Sequence, residues 1–491
     1  MMKSKTINSN FNLLTAAKFM VVCGFFLFLS NSLKAQEKPN VLVLVIDDLN
    51  DWVSIAKKFP GVKTPNIDRL AKTGTYFSKA YSQAPLCAPS RASFLSGLLP
   101  SKTGVYVQVK DQDLKKYYDE EFKVDFLPNY FSKNGYKTMG VGKIFHNGGG
   151  IKAFDEYGGT FEFYGPTPAK RINYDPAWFG QTGTMTDWGA FPNEDSQMPD
   201  FKSAKWASNQ LSKKHEKPFF MAVGFIRPHV PWLVPQKWFD QVKINEIQTP
   251  PYLKNDMDDI PEIGKALADV PEMPTTEWTI EKNNWKEIVQ SYIACIAFVD
   301  AQVGMVLDDL EKSAYKDNTY VVLMADHGYH LGEKNRFAKH SLWERSAHVP
   351  LIISGPGLQQ NKINNNTVGL IDLYPTLVDL CNLPANPKND GRSLSPLLKN
   401  EVKKWDFPVY SFYGTGNLSV YKDKYHYIKY EDGSEEFYNL KKDVQEWDNK
   451  AIKLKSSVLL NSFRKLAPKK TAPYAPNSDL GGNTYFRLKK P

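Results

Sequence analysis

The sequence predicts an α/β protein: a large doubly wound, mixed but mostly parallel sheet flanked by helices, with a small antiparallel-sheet subdomain at the C-terminal end. Three observations carry that expectation. Short β-branched and apolar runs recur up to residue 354 with helical patterns between them. Two of the runs stop abruptly at Asp47-Asp48 and Asp326-His327, the strand-end position where open α/β sheets hold ligands. Beyond residue 400 the texture changes to short strand-like stretches separated by turn residues. With 491 residues, 42% hydrophobic and 23% charged, the chain can bury a large core, which excludes global disorder.

Residues 1–35 read as a secretory signal peptide. Lys3, Lys5 and Lys18 precede an apolar run over 19–29, and Ser32-Leu33-Lys34-Ala35 follows with a small residue before the cut. That run is shorter than the roughly 20 residues a membrane span needs, and no later segment is long and apolar enough. An exported protein, periplasmic or secreted and without a stable membrane span, is expected. The formal charge of +9 falls to +5 without this segment, and no dense basic stripe remains, so no nucleic-acid partner is expected. Cys23 leaves with the signal. Cys87, Cys295 and Cys381 are no disulfide framework in a domain this large.

A main domain is expected over 36–400. The run 41–46 reads as a central parallel strand, and the aspartates after it are consistent, taken alone, with a helix cap or turn. A helix follows at Pro65–Thr73, then strands at 138–141 and Phe219–Phe225. The apolar stripe over 283–312 predicts a long helix with Cys295 buried in it, and strands are expected at 320–325 and 350–354. Cys381, after Leu377-Val378, is expected to be buried too. Residues 147–205 and 233–282 are rich in Gly, Pro, Asn and aromatics without periodicity, which suggests surface insertions that shape a cleft. A second subdomain is expected over 401–491, with strands at 409–413, Leu418–Lys422, 425–430 and 436–440.

Cys87 lies in a Pro/Ser/Arg-rich stretch read as a turn, Cys87-Ala88-Pro89-Ser90-Arg91, continued by Leu95 and Gly97. Gly135-Tyr136-Lys137-Thr138 leads into Gly142-Lys143-Ile144-Phe145-His146, and Thr64-Pro65-Asn66-Ile67-Asp68 precedes both. These motifs resemble those of the sulfatase family, and the likeness extends over about residues 40–440. The resemblance implies that a maturation enzyme oxidises Cys87 to formylglycine (3-oxoalanine). It implies one Ca²⁺ ion and a sulfated oligosaccharide or polysaccharide as substrate. The chemistry suits such a site, because a sulfate ester needs a nucleophile, a cationic clamp on its oxygens and an acid for the leaving alcohol. A hydrated aldehyde offers one hydroxyl to attack sulfur and a second to expel sulfate afterwards, where a serine would stall.

By the same resemblance Asp47, Asp48, Asp326, His327 and the modified Cys87 would hold the ion. The aspartates supply hard oxygens, and imidazole is an unusual calcium ligand. Arg91 would hold the hydrated aldehyde, Lys143 and Lys339 would clamp sulfate, His146 would assist the aldehyde, and His229 would protonate the leaving oxygen. His340 and Tyr329 would touch substrate, while His215, His330, His348 and His426 are read as structural. Arg227-Pro228-His229-Val230-Pro231-Trp232, Asp326-His327-Gly328 and Gly332-Glu333-Lys334 look most like the iduronate-2-sulfatase subgroup. That implies a 2-O-sulfated uronic acid, from an ulvan-type polysaccharide or a glycosaminoglycan. Phosphodiester or phosphonate monoester hydrolysis, which shares the fold, is the second enzymatic reading, and a non-catalytic sulfated-glycan-binding protein the third.

Overall fold

The computed structural model describes residues 38–147, 152–162, 164–173, 185–402, 404–481 and 483–489. The expected signal peptide lies outside the described residues, among which no helix is long and apolar enough to cross a membrane.

Eight strands form the main sheet: β1 (Asn40–Ile46), β2 (Gly74–Tyr81), β3 (Lys137–Gly142), β4 (Glu156–Tyr157), β5 (Phe219–Phe225), β6 (Thr319–Ala325), β7 (His348–Ser354) and β8 (Lys362–Gly369). Their spatial order is β8-β2-β7-β6-β1-β5-β3-β4. All run parallel except β7, which is antiparallel to both β6 and β2. The β-branched runs of β1, β5 and β6 are buried along their whole length, as strands covered on both faces must be. β2 and β8 extend the sheet beyond the sequence-based expectation. β8 is Lys-Ile-Asn-Asn-Asn-Thr-Val-Gly, a polar edge strand with no apolar run to mark it.

Helix α1 (Pro65–Thr73) has its expected bounds, and α2 (Cys87–Ser96) occupies the stretch read as a turn, so Cys87 is the first residue of a helix. Helix α3 (Pro199–Leu211) corrects the reading of 147–205 as aperiodic, because the middle of its buried face is Ser203, Ala204, Ala207 and Ser208, too small and polar to mark a stripe. Helix α4 (Trp285–Lys312) buries Ile288, Tyr292, Val299 and Val306 in the main core, with Cys295 fully buried among them. Cys295 and Cys381 are buried and in no disulfide among the described residues.

The meander β9 (Val409–Phe412), β10 (Leu418–Lys422), β11 (Tyr425–Lys429) and β12 (Glu435–Asn439) is the small antiparallel sheet. It packs Val420, Tyr427 and Phe437 against Leu460 and Phe463 in a core of its own, which also takes in Tyr106, Leu342 and Trp343 from earlier in the chain.

Candidate active site

The parallel register delivers the site. Ile46 lies level with Phe225 and Ala325, and Gly142 with Gly224, so four neighbouring strands end together. The ladder runs one rung further: Asp47 N–H donates to Phe225 O (3.1 Å), Asp326 N–H to Ile46 O (3.2 Å) and Lys143 N–H to Gly224 O (3.2 Å). Gly224 is required there, since a Cβ would collide with the Lys143 backbone. Asp48 follows in the left-handed region at φ 62°, which Asp tolerates. Tyr292 of α4 clamps the turn by donating to Asp48 O (2.7 Å) and accepting from Asn50 N–H (3.0 Å).

Cys87 opens α2, with its thiol at the positive end of the helix. One turn on, Arg91 ties the strand ends together. Its Nη2 donates to Asp47 Oδ1 (3.0 Å), its Nε to Asp326 Oδ2 (2.9 Å) and its Nη1 to the carbonyls of Lys143 and Ile144. The guanidinium thus engages carboxylates and carbonyls, holding the acids rather than the sulfur. Around Cys87 Sγ stand His327 Nε2 (3.2 Å), Lys339 Nζ (3.2 Å) and Lys143 Nζ (3.8 Å), with the His146 ring beside it. The two ammonium groups bridge to the acids, Lys143 to Asp47 Oδ2 (2.6 Å) and Lys339 to Asp48 Oδ1 (2.7 Å).

The histidines are aimed by backbone carbonyls. His327 Nδ1 bonds Gly328 O (3.0 Å) and His229 Nδ1 bonds Val230 O (2.6 Å). A carbonyl only accepts, so both rings carry the proton on Nδ1 and turn Nε2 to the site. His229 Nε2 lies 3.8 Å from Asp48 Oδ2. Of the expected substrate contacts, His340 and Tyr329 line, with Lys339 and His229, a cavity of about 170 Å³. The Tyr329 hydroxyl is bound to Phe337 O (3.0 Å), leaving its ring as wall. His215 lies apart, its Nε2 against Gln210 O. Every expected site residue therefore falls in this one region.

Burial and neighbouring charge set the ionisation states. Burial opposes ionisation of Cys87, but Lys143, Lys339 and His327 hold the thiol well below its usual value. Burial and Cys87 raise Asp47, yet Lys143, His229 and Arg91 outweigh them and keep it ionised. Asp326 is pushed up to about 7, by burial first and then by Asp47 and Cys87, against Arg91 and His327. His327 is raised to about 9 although burial opposes it, because Asp326 and Cys87 face it.

Two overlapping groups have the composition of a metal site: Asp47, Asp48, Cys87 and His229, and Asp47, Cys87, Asp326 and His327, with ligand atoms within 4.8 Å of one another. Asp48 Oδ2 is buried and has no hydrogen-bond partner among the described residues. An orphaned carboxylate oxygen among three convergent acids fits a hard divalent cation.

Three contributors were not anticipated. Asp111 receives the backbone N–H groups of His146 (3.1 Å) and Asn147 (2.8 Å), fixing the His146 turn. Arg227, fully buried, gathers the carbonyls of Leu233, His229 and Tyr164. The Tyr164 ring lies 5.2 Å from that of His229 and 5.8 Å from Lys143 Nζ. Arg227 was visible beside His229 in its motif, whereas Asp111 opens a short helix, Asp111–Tyr117, with nothing to link it to His146, and Tyr164 sits in the stretch without periodicity.

The family model described as Sulfatase matches residues 39–383, and that for the N-sulphoglucosamine sulphohydrolase C-terminal region matches 332–468. The chain is 45% identical to a sulfatase of Formosa agariphila over 92% of this chain and 91% of that one. It is 30% identical to mouse (Mus musculus) iduronate 2-sulfatase, over 72% and 70% of the two chains. A solved 2-O GAG sulfatase superposes with a TM-score of 0.66 at 27% identity, covering 88% and 91%.

Proposed function

The chain belongs to the sulfatase family and is a sulfuric ester hydrolase; from that premise we propose that it removes 2-O-sulfate from a uronic acid in a sulfated oligosaccharide or polysaccharide. It does so outside the cytoplasm, through a formylglycine made from Cys87 by a maturation enzyme and beside one Ca²⁺. The observation that carries the reading is the surroundings of Cys87 Sγ: two ammonium groups and an imidazole within 3.8 Å, next to three buried carboxylates. The names of the relatives, iduronate 2-sulfatase and 2-O GAG sulfatase, support the substrate class, together with the Arg227 to Trp232 motif.

Asp47, Asp48, Asp326 and His327 would hold the ion. Once present, the hydrated aldehyde would supply the attacking hydroxyl and the cation would offset charge on the sulfate oxygens. The remaining roles belong to side chains already in place. Lys339 and Lys143, at 3.2 and 3.8 Å from the sulfur atom, clamp sulfate oxygens. Arg91 keeps Asp47 and Asp326 at fixed separation. His146, steadied by Asp111, serves the nucleophile. His229, with Nδ1 on the Val230 carbonyl, offers Nε2 toward the leaving oxygen. Residues 36–400 form the catalytic domain in this reading and 401–491 the accessory subdomain.

The test is release of sulfate from an unsaturated 2-O-sulfated uronate disaccharide by protein co-expressed with a formylglycine-generating enzyme. Turnover that a chelator abolishes and Ca²⁺ restores is expected. Faster hydrolysis of phenylphosphonate than of every sulfated sugar tried would select the phosphonate reading. Tight binding of sulfated sugars by fully matured protein without turnover would select the binding-protein reading.

A further inference from the structure

We propose that the C-terminal segment is part of the active site, acting through an Asn483–Tyr413–His340 relay that fixes His340 as an Nε2–H donor to an acceptor oxygen of the substrate sugar. The substrate half of this statement rests on the sulfatase reading above; the relay does not.

The hydrogen bonds fix the direction of every proton. Asn483 Oδ1 faces the backbone N–H of Phe486 (3.1 Å), which only donates, and Asn483 Nδ2 faces Leu267 O (2.8 Å), which only accepts. The amide orientation is therefore determined. Its NH₂ also reaches the Tyr413 hydroxyl (2.8 Å), so Tyr413 Oη accepts there. Among the described residues that hydroxyl meets one further group, His340 Nδ1 at 2.8 Å. Tyr413 is almost fully buried, and a buried O–H that donated to nothing would cost about 1–3 kcal/mol. The phenolic proton goes to Nδ1, and the ring proton of His340 stands on Nε2.

His340 is held where this matters. It follows Lys339 directly, takes φ 63° in the left-handed region, and lines the cavity shared with His229 and Lys339. Strain of that kind persists where the surroundings over-determine a residue, as at a ligand clamp. No group among the described residues bonds Nε2. Burial, with the cations Lys339, Arg336 and His327 nearby, keeps the ring neutral. It is therefore a donor without charge, suited to a hydroxyl, ring or carboxylate oxygen and unable to act as the general acid. Asn483 caps the last helix (Thr484–Lys489), Leu267 belongs to the helix Glu262–Ala268, and Tyr413 follows β9, so three distant parts of the chain converge on one imidazole.

Long-range ¹H–¹⁵N NMR of the full chain labelled at histidine tests this, with His340 assigned through its loss in His340→Gln. The expected spectrum shows a neutral ring, protonated at Nε2 and not at Nδ1, across pH 6–8. Tyr413→Phe should bring both tautomers into the spectrum and raise KM for the 2-O-sulfated disaccharide about tenfold with kcat little changed, the size of one hydrogen bond. A ring protonated at Nδ1 in the wild-type protein, or doubly protonated at neutral pH, would overturn the relay even if Tyr413→Phe fails to fold. An unchanged KM in folded Tyr413→Phe would overturn the substrate contact. Failure of the wild-type protein to hydrolyse any sulfate ester would sink the sulfatase reading and the sugar contact with it, while the tautomer measurement would still decide the relay.

Discussion

Two buried charge clusters lie within a few residues of each other in sequence, and they are built for opposite ends. At the strand ends, Asp47, Asp48 and Asp326 face Arg91, Lys143, Lys339 and His327, yet Asp48 Oδ2 accepts no hydrogen bond among the described residues, and two imidazole Nε2 atoms point inward to the thiol and acid rather than at carbonyls. A few residues on, Asp51 pairs with Arg345 and sits 3.3 Å from His348 Nδ1. His348 also meets Glu344 (3.2 Å) and Ser78 O (2.9 Å), and Arg345 Nε meets Glu333 (3.1 Å). Both clusters are buried and dense in charge. The second spends its charges on itself, pinning the loop after β1 to the segment that carries Lys339 and His340. The first leaves ligand-facing atoms over beside a cavity. Each cluster holds one buried atom without a hydrogen bond among the described residues, but His348 Nδ1 has carboxylates at 3.3 and 3.2 Å, whereas Asp48 Oδ2 has only His229 Nε2 at 3.8 Å and borders a cavity.

The contrast makes ordered predictions. Cys87→Ala should lower sulfate-ester turnover by on the order of 10⁴-fold or more while leaving the melting temperature within a few degrees; a variant that keeps a tenth of the activity would dissolve the distinction. Asp48→Asn should weaken Ca²⁺ binding by about 100-fold, read by calorimetry, again with the fold intact. Arg345→Met should do the reverse. It leaves Asp51 with His348 alone and Glu333 without its cation in the interior, and should cost about 3–5 kcal/mol in denaturant unfolding, with kcat of the remaining folded protein nearly unchanged.

The smallest effect is in pH. His348 is raised to about 9, since Glu344 and Asp51 outweigh the burial that opposes its charge. A group whose folded value lies above its unfolded value, about 6.5, stabilises fully below that value and loses the contribution as pH rises toward 9. The stability difference between the wild-type protein and His348→Gln should therefore be largest near pH 6 and shrink steadily to pH 9. A difference that grows with pH would show the ring to be neutral in the folded state.

Much of this was legible in the sequence, for physical reasons. β1, β5 and β6 are covered on both faces and so read as unbroken apolar runs, and their abrupt ends placed Asp47, Asp48 and Asp326 correctly. The small sheet was readable from turn residues such as Asp423 and Asp432-Gly433. What escaped has no local signature. β8 takes polar asparagines because it is an edge, and α3 packs through small residues. Cys87 proved to begin a helix because its Pro, at the third position, suits a first turn as well as a loop. Within the site, the contacts of Arg91 with Asp47, Asp326 and the Lys143 and Ile144 carbonyls have no signature in its motif. Asp111, Tyr164 and Asn483 act through contacts across long stretches of chain, and no spacing announces those.

The most direct test of the central claim is peptide mass spectrometry of Cys87 in protein from its native host. A loss of about 18 Da at Cys87, the arithmetic of a thiol replaced by an aldehyde oxygen, is predicted, with Cys295 and Cys381 unmodified. An intact Cys87 thiol in protein that nonetheless releases sulfate would contradict the account, since Cys87 is the nucleophile it assigns.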